Sequence, residues 1–248
     1  MKIIPLSEGA FTIDASKKFI PFNKEKDDLQ TRPIGSLLVE IQPFCIITNN
    51  DIILIDTGLG FTNEKGVLQI HQNLLDHDIN PMDITKVLVS HLHKDHSGGI
   101  GKQDALLQQD FFSFPNATYY VNKEELSYAL QKGAPSYSIG DFQLLLDSDK
   151  VVLLDGNGVL DGYIQYWVSG AHSPFHQVFL LEENEEKVFF GGDVAPQLQQ
   201  MKSRFIAKYD FDGKRCMELR KLWWEQGEKE HWTFLFYHDI KTPVFSFK

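Results

Sequence analysis

The feature that most constrains this chain is a run of six residues, His91-Leu92-His93-Lys94-Asp95-His96, which gathers three imidazoles and a carboxylate. Imidazole and carboxylate are the borderline and hard ligands that suit zinc, iron or manganese. Residues two apart in an extended or looped segment project to the same side. His91 and His93 can therefore clasp one ion while Asp95 and His96, beyond a bend, face a second. Lys86 to Val89 is a brief β-branched run, so a strand leads directly into His91. Ser97-Gly98-Gly99 follows at once and permits a tight backbone turn and a helix start close to the ions. The competing account of the run is a solvated loop that happens to be rich in histidine.

The surrounding sequence reads as two β-rich halves carrying helices. Strands are expected at Leu37 to Ile41, Phe44 to Ile47 and, after an Asn49-Asn50 turn, Ile52 to Ile55. Val67, Ile70, Leu74 and Leu75 recur at helical spacing within 64–77. Further strands are expected at Thr118 to Val121, Val151 to Leu154, Tyr163 to Val168, Val178 to Leu181, Val188 to Phe190 and Thr233 to Tyr237, with helices over Lys123 to Gln131 and Lys214 to Glu228. This pattern predicts an α/β (α+β) class with sheets packed together and helices outside. A length of 248 residues fits one large domain or two small ones; we read one domain over 1–248, its halves joined near 133–150, with Gly133 to Gly140 as the connector.

Composition narrows the partners. The net charge of −10 repels phosphate backbones and argues against nucleic acid, and the densest basic stretches, among them Lys17-Lys18, read as solvated surface. No apolar run reaches the roughly 20 residues that cross a bilayer, and Met1 to Pro5 lacks a secretory apolar stretch, so the expectation is a cytoplasmic protein without a membrane partner. Cys45 and Cys216 suggest neither a bridge nor a thiolate site.

His91 to His96 resembles the HxHxDH signature of the metallo-β-lactamase superfamily, and other segments follow in that family's order. Ile53-Leu54-Ile55-Asp56-Thr57-Gly58 is similar to its early aspartate motif, which supports the metal loop by hydrogen bonds. Gly170-Ala171-His172-Ser173-Pro174-Phe175-His176 occupies the place of its Gly-His-Thr-Pro-Gly-His segment. Phe189-Phe190-Gly191-Gly192-Asp193 resembles its strand-end aspartate, and Tyr237-His238-Asp239 its last histidine. The resemblance implies a four-layer αβ/βα sandwich of two mixed sheets and two divalent metal ions, zinc first, with iron or manganese as alternatives. It implies His91, His93 and His172 on the first ion, Asp95, His96 and His238 on the second, Asp193 bridging both, and Asp56 behind them. Ala171, Ser173 and Phe175 depart from the family pattern and bear on the pocket wall rather than the ligands.

The chemistry so implied is hydrolysis of an ester, lactone or related bond in a small molecule by a hydroxide bridging two cations, with Asp95 orienting it and passing its proton to the leaving group. The layout looks most like the lactonase and organophosphate-hydrolase branch, in which dimers are common, so a homodimer is among the expectations. Two rivals are a mononuclear iron dioxygenase of the same fold and a metal-binding scaffold without turnover. Phe19, Phe22, Phe111, Phe112 and Phe114 are candidates for an apolar pocket, with core packing as the alternative, and Tyr209 and Tyr237 are candidate oxyanion donors. His176 reads equally as a site partner or a structural histidine, and His71, His77 and His231 as surface residues.

Overall fold

A computed structural model describes residues 1–104 and 109–247. In chain order, β1 (Lys2–Pro5) precedes β2 (Gly9–Ile13), β3 (Phe19–Pro21) and β4 (Leu37–Ile41), and the last three form a small antiparallel sheet. Then come β5 (Phe44–Ile47), β6 (Ile52–Ile55), α1 (Gln69–Leu75), β7 (Lys86–Leu88), α2 (Lys94–Ser97) and the hairpin β8 (Gly101–Asp104) with β9 (Gln109–Phe112). β10 (Thr118–Asn122), α3 (Lys123–Lys132), α4 (Ile139–Phe142) and β11 (Val151–Leu154) follow. The later half holds β12 (Gly158–Leu160), β13 (Ile164–Val168), β14 (Gln177–Glu183), β15 (Glu186–Phe190), α5 (Leu198–Met201), α6 (Gly213–Glu230), β16 (Thr233–Leu235) and β17 (Val244–Ser246).

Two six-stranded sheets carry the fold, in orders β1-β5-β6-β7-β10-β11 and β12-β13-β14-β15-β16-β17. Both are mixed: β6, β7, β10 and β11 run parallel in the first, and β15 and β16 in the second. Period-2 alternation explains their stacking. Phe44, Ile46, Ile53, Ile55 and Leu88 face Phe179, Leu181, Val188, Phe190 and Leu235 between the sheets. The intervening Cys45, Leu54 and Val87 turn outward onto Ile70 and Leu74 of α1 and Leu126 and Ala129 of α3. On the far side, Val178, Leu180 and Phe189 meet Cys216 and Trp223 of α6. Strands apolar on both faces need cover on both, and each buried Leu, Ile or Phe contributes about 1.5–3 kcal/mol, so the layer order helix, sheet, sheet, helix follows.

The departures from expectation have local causes. α1 begins only at Gln69 because the Asn63 side chain accepts from the amides of Lys65 and Val67, making a turn that replaces the first helical turns. β1 to β3, β8, β9, β12 and β17 lie outside the strands expected; they are short, β1 pairs with β5, distant in sequence, and β17 with its neighbour β16. The chain passes from one sheet to the other between β11 and β12, at 155–157, downstream of the 133–150 stretch expected to join the halves. The stretch 133–140 instead closes α3 and leads into α4, and Ser136 O accepts from Lys94 N beside the histidine run. No helix among the described residues is long and apolar enough to cross a membrane.

Candidate metal centre

The parallel strands β6 and β7 of one sheet and β15 and β16 of the other end at the same edge of the sandwich, and the segments just beyond their C-terminal ends meet there. This is where open α/β sheets place ligands. Asp56 follows β6, His91 to His96 follow β7, Asp193 follows β15 and His238 follows β16, while His172 comes from the β13–β14 loop. The loop after β6 lies hard against α2: Thr57 N and Oγ1 both donate to His96 O, and Gly98 N donates to Gly58 O. Gly98 itself is helical, at φ −60, so it does not make the tight turn expected of it. What it supplies is missing bulk, because a Cβ there would lie 2.3 Å from Leu59 O.

Seven donors converge in two clusters. One atom from each of His91, His93, His172 and Asp193 lies within 4.8 Å of the others, and the same holds for Asp95, His96 and His238. His91 Nε2 and His172 Nε2 stand 3.0 and 3.1 Å from His93 Nδ1. Asp193 joins the clusters: Oδ2 is 3.2 Å from His172 Nε2, while Oδ1 is 3.1 and 3.0 Å from Nε2 of His96 and His238. Asp95 Oδ2 lies 3.6 Å from His238 Nε2 and 3.8 Å from His96 Nε2.

Acceptors behind the rings set which nitrogen faces inward. Asp56, at φ 56 and fully buried, takes the Ser90 amide on Oδ1 at 2.7 Å; its Oδ2 takes the Ser90 hydroxyl at 2.7 Å and His96 Nδ1 at 2.8 Å. The Ser90 oxygen, its proton spent on Asp56, accepts from His91 Nδ1 at 3.0 Å. His238 Nδ1 donates to the Glu40 carbonyl at 2.7 Å and His172 Nδ1 to Asp210 at 2.8 Å. A carbonyl or carboxylate can only accept, so in these four rings Nδ1 keeps the proton and Nε2 presents a lone pair to the centre. That is how metal-binding histidines are oriented.

The charge balance makes the same demand. Burial, then neighbouring imidazoles, hold His91 and His93 well below the usual histidine range and therefore neutral. Burial acts to lower His96 and His238 too, yet Asp193 and Asp95, with Asp56 also acting on His96, raise both. The carboxylates thus call for positive charge at this spot. His96 Nε2 and Asp193 Oδ1 are buried without a hydrogen-bond partner, although they lie 3.1 Å apart. Unpartnered buried polar atoms are costly, and facing lone pairs cannot satisfy one another, so the donor set fits divalent cations.

A family model described as the metallo-beta-lactamase superfamily matches residues 39–222, about three quarters of the chain and every donor except His238. The chain belongs to the metallo-β-lactamase superfamily. Among curated proteins it is similar to the N-acyl homoserine lactonase AttM of Agrobacterium fabrum, 31% identical over 137 residues that make up 47% of each protein. AttM of Azorhizobium caulinodans is 33% identical over 113 residues, 42% of this chain and 38% of that one. The chain thus spans about half the length, or less, of these curated relatives. Among solved structures, a probable metal-dependent hydrolase from Staphylococcus aureus superposes with a TM-score of 0.79 at 22% identity, over 99% of this chain and 91% of that one. AidC, a dizinc quorum-quenching lactonase in complex with a product, superposes with a TM-score of 0.69 at 19% identity, over 98% and 88%. These likenesses share the metallo-β-lactamase fold described above.

Within this metallo-β-lactamase site, His176 is a structural partner. Its Nε2 accepts from the Asp193 amide at 3.2 Å, its Nδ1 pairs with Ser169 Oγ at 3.0 Å, and a Cβ on Gly192, at φ +49, would lie 2.5 Å from its ring. Tyr237 stacks on His96 and donates to the Asp95 carbonyl at 2.6 Å, so its hydroxyl is engaged, whereas Tyr209 lines a cavity of about 560 Å³ above the donors. Of the aromatic set only Phe19 lines that cavity; Phe114 is core, and Phe111 and Phe112 border a separate surface hollow. His71 is half-buried, its Nε2 2.9 Å from Ser113 O, rather than a surface residue.

Sequence reasoning missed Asp210 and Glu125. Glu125 is fully buried and ties the two histidine loops together, accepting from Leu92 N at 3.1 Å and Ser173 Oγ at 2.9 Å. Burial pushes its carboxyl up, and those hydrogen bonds oppose the shift. Neither residue carries a local signal. Asp210 sits among exposed residues, and Glu125 follows an ordinary helix cap at Asn122.

Proposed function

We propose that this chain, as one domain, is a metal-dependent hydrolase that opens a lactone or ester bond of a small molecule. His91, His93 and His172 would hold one divalent ion and Asp95, His96 and His238 a second, with Asp193 shared, and zinc is the first candidate for both. The observation that carries the reading is the split of the Asp193 carboxylate, one oxygen turned to each cluster. Such paired cations supply Lewis acidity and an activated water at neutral pH.

The chain's own groups supply the rest. Asp95 lines the cavity floor, where its carboxylate can orient the attacking water and carry its proton to the leaving oxygen. Tyr209, on the wall beside His172 with ring centroids 6.2 Å apart, can donate to the developing oxyanion. The acceptors behind His91, His96, His172 and His238 hold those rings in place, so the donor set need not reorganise during the reaction. The names of the AttM relatives favour a lactone, and the second donor cluster favours this reading over a mononuclear iron dioxygenase. Buried, unpaired Cys45 and Cys216 suit the reducing cytoplasm.

The test is elemental analysis of the purified protein together with hydrolysis of a lactone, an aryl ester and an aryl phosphotriester before and after chelation. Two ions per chain and chelator-sensitive turnover are expected. One iron per chain with oxygen consumption and no hydrolysis would overturn the proposal.

A further inference from the structure

The cavity above the donors has an uneven wall. Ile13, Phe19, Leu37 and Val39, from β2, β3 and β4, make one side apolar. Into the same space reach Lys17, Lys94 and Lys208, from the β2–β3 turn, the first residue of α2 and the loop before α6. Among the described residues none of the three has a carboxylate within salt-bridge distance. Lys17 Nζ lies 5.6 Å from the ring centre of Tyr209, and Lys94 Nζ 5.6 Å from that of Phe19, while the Asp141 carboxylate acts on Lys94 from beyond salt-bridge distance.

Apart from the donors themselves, the one acidic side chain among the described residues lining the cavity is Asp14, whose Oδ1 accepts from the Ser16 amide and hydroxyl at 2.8 and 2.6 Å, so three ammonium groups face one further carboxylate. Three ammonium groups around one cavity, none in a salt bridge among the described residues, are unexpected in a chain of net charge −10. Lys17, expected on a solvated surface, is half-buried and holds a left-handed backbone at φ 56, where glycine would be unstrained. A positive rim over an apolar wall concentrates anionic solutes and orients their charged end.

We infer that the substrate is an ester or lactone whose apolar chain ends in an anionic group, carboxylate or phosphate, held by Lys17, Lys94 and Lys208 away from the bond that breaks. This rests on the hydrolase reading and adds the substrate class to it. The apolar chain lies along Phe19 and Leu37, and the charge balances the rim.

The experiment compares the metal-loaded full chain on substrates matched in chain length: a neutral aryl hexanoate, the mono-aryl ester of adipic acid, the same chain ending in phosphate, and the corresponding series of side-chain-bearing γ-lactones. The expected result is that one anionic series exceeds the neutral one in kcat/KM by about tenfold or more at low salt, chiefly through KM, and that the advantage shrinks several-fold toward roughly 0.3 M salt. The carboxylate and phosphate arms tell which anion is preferred.

Lys17→Met and Lys208→Met, checked for folding and metal content, should each lower the anionic-to-neutral ratio by about threefold or more. Lys221→Met, on the exposed side of α6, should leave the ratio unaltered. Neutral substrates turned over as well as anionic ones, with no salt dependence, would overturn this inference and leave the hydrolase reading standing. No turnover of any series by metal-loaded protein would instead remove the hydrolase reading.

Discussion

The two donor clusters are built from the same residue types yet supported differently. His96 and His238, in the cluster with Asp95, lean on a fully buried carboxylate and a main-chain carbonyl, Asp56 and Glu40, both part of the β-sheet framework. In the other cluster His91 reaches Asp56 only through Ser90, and His172 leans on Asp210, which belongs to the loop before α6. The first support is inseparable from the sheets, and the second depends on a peripheral loop. On the proposed reading, the ion of Asp95, His96 and His238 is supported from the sheets alone, and the other is supported in part, through His172, from that loop.

The largest effect expected is at Asp95, the carboxylate proposed to orient the attacking water and carry its proton. Asp95→Asn should lower kcat by about 10²- to 10⁴-fold, the range for losing a positioned acid–base group. The decisive comparison is steady-state kinetics beside metal content: unchanged turnover in a variant that keeps both ions would remove Asp95 from the chemistry.

Asp56→Asn comes next, because one buried carboxylate orients His96 directly and His91 through Ser90. Metal affinity should fall about 10- to 100-fold, with both binding steps weakened in a chelator competition titration. If only one step moved, the supports would be less shared than the hydrogen bonds imply. Asp210→Asn should weaken a single step, by less than about tenfold, because it orients one ring and from a loop rather than a sheet. Equal weakening of both steps would erase the contrast between the clusters.

The smallest effect lies under the loop that follows Asp56. Glu8 accepts from Leu59 N at 2.7 Å, and burial pushes its carboxyl up to about 7 from an ordinary 4.5. The folded chain thus holds this proton more tightly than the unfolded one. Its contribution to stability is present below pH 4.5 and lost as the pH rises to about 7. Glu8→Gln keeps an acceptor without the charge, so it should stabilise the protein at pH 8 by about 1–3 kcal/mol and have little effect at pH 4. Thermal unfolding of both proteins across that pH range measures this, and a gain at pH 4 equal to that at pH 8 would contradict it.

The sequence by itself determined the strand that leads into His91, the alternation that makes β5, β6 and β7 apolar on both faces, and the positions of all seven donors. The strand and the run His91 to His96 are legible because each depends on neighbours within a few residues, whereas His172, Asp193 and His238 are found only because their segments resemble a family pattern. Only the tertiary structure decided that Asp210 and Glu125 stand behind the site, that the small sheet of β2, β3 and β4 walls the cavity, and that Lys17 faces it rather than solvent. Their roles come from contacts made across the fold, such as that between His172 and Asp210, 38 positions apart in the chain. A hydrogen bond of that kind leaves no periodicity, because it depends on where two loops end in space and not on what lies beside them in the chain.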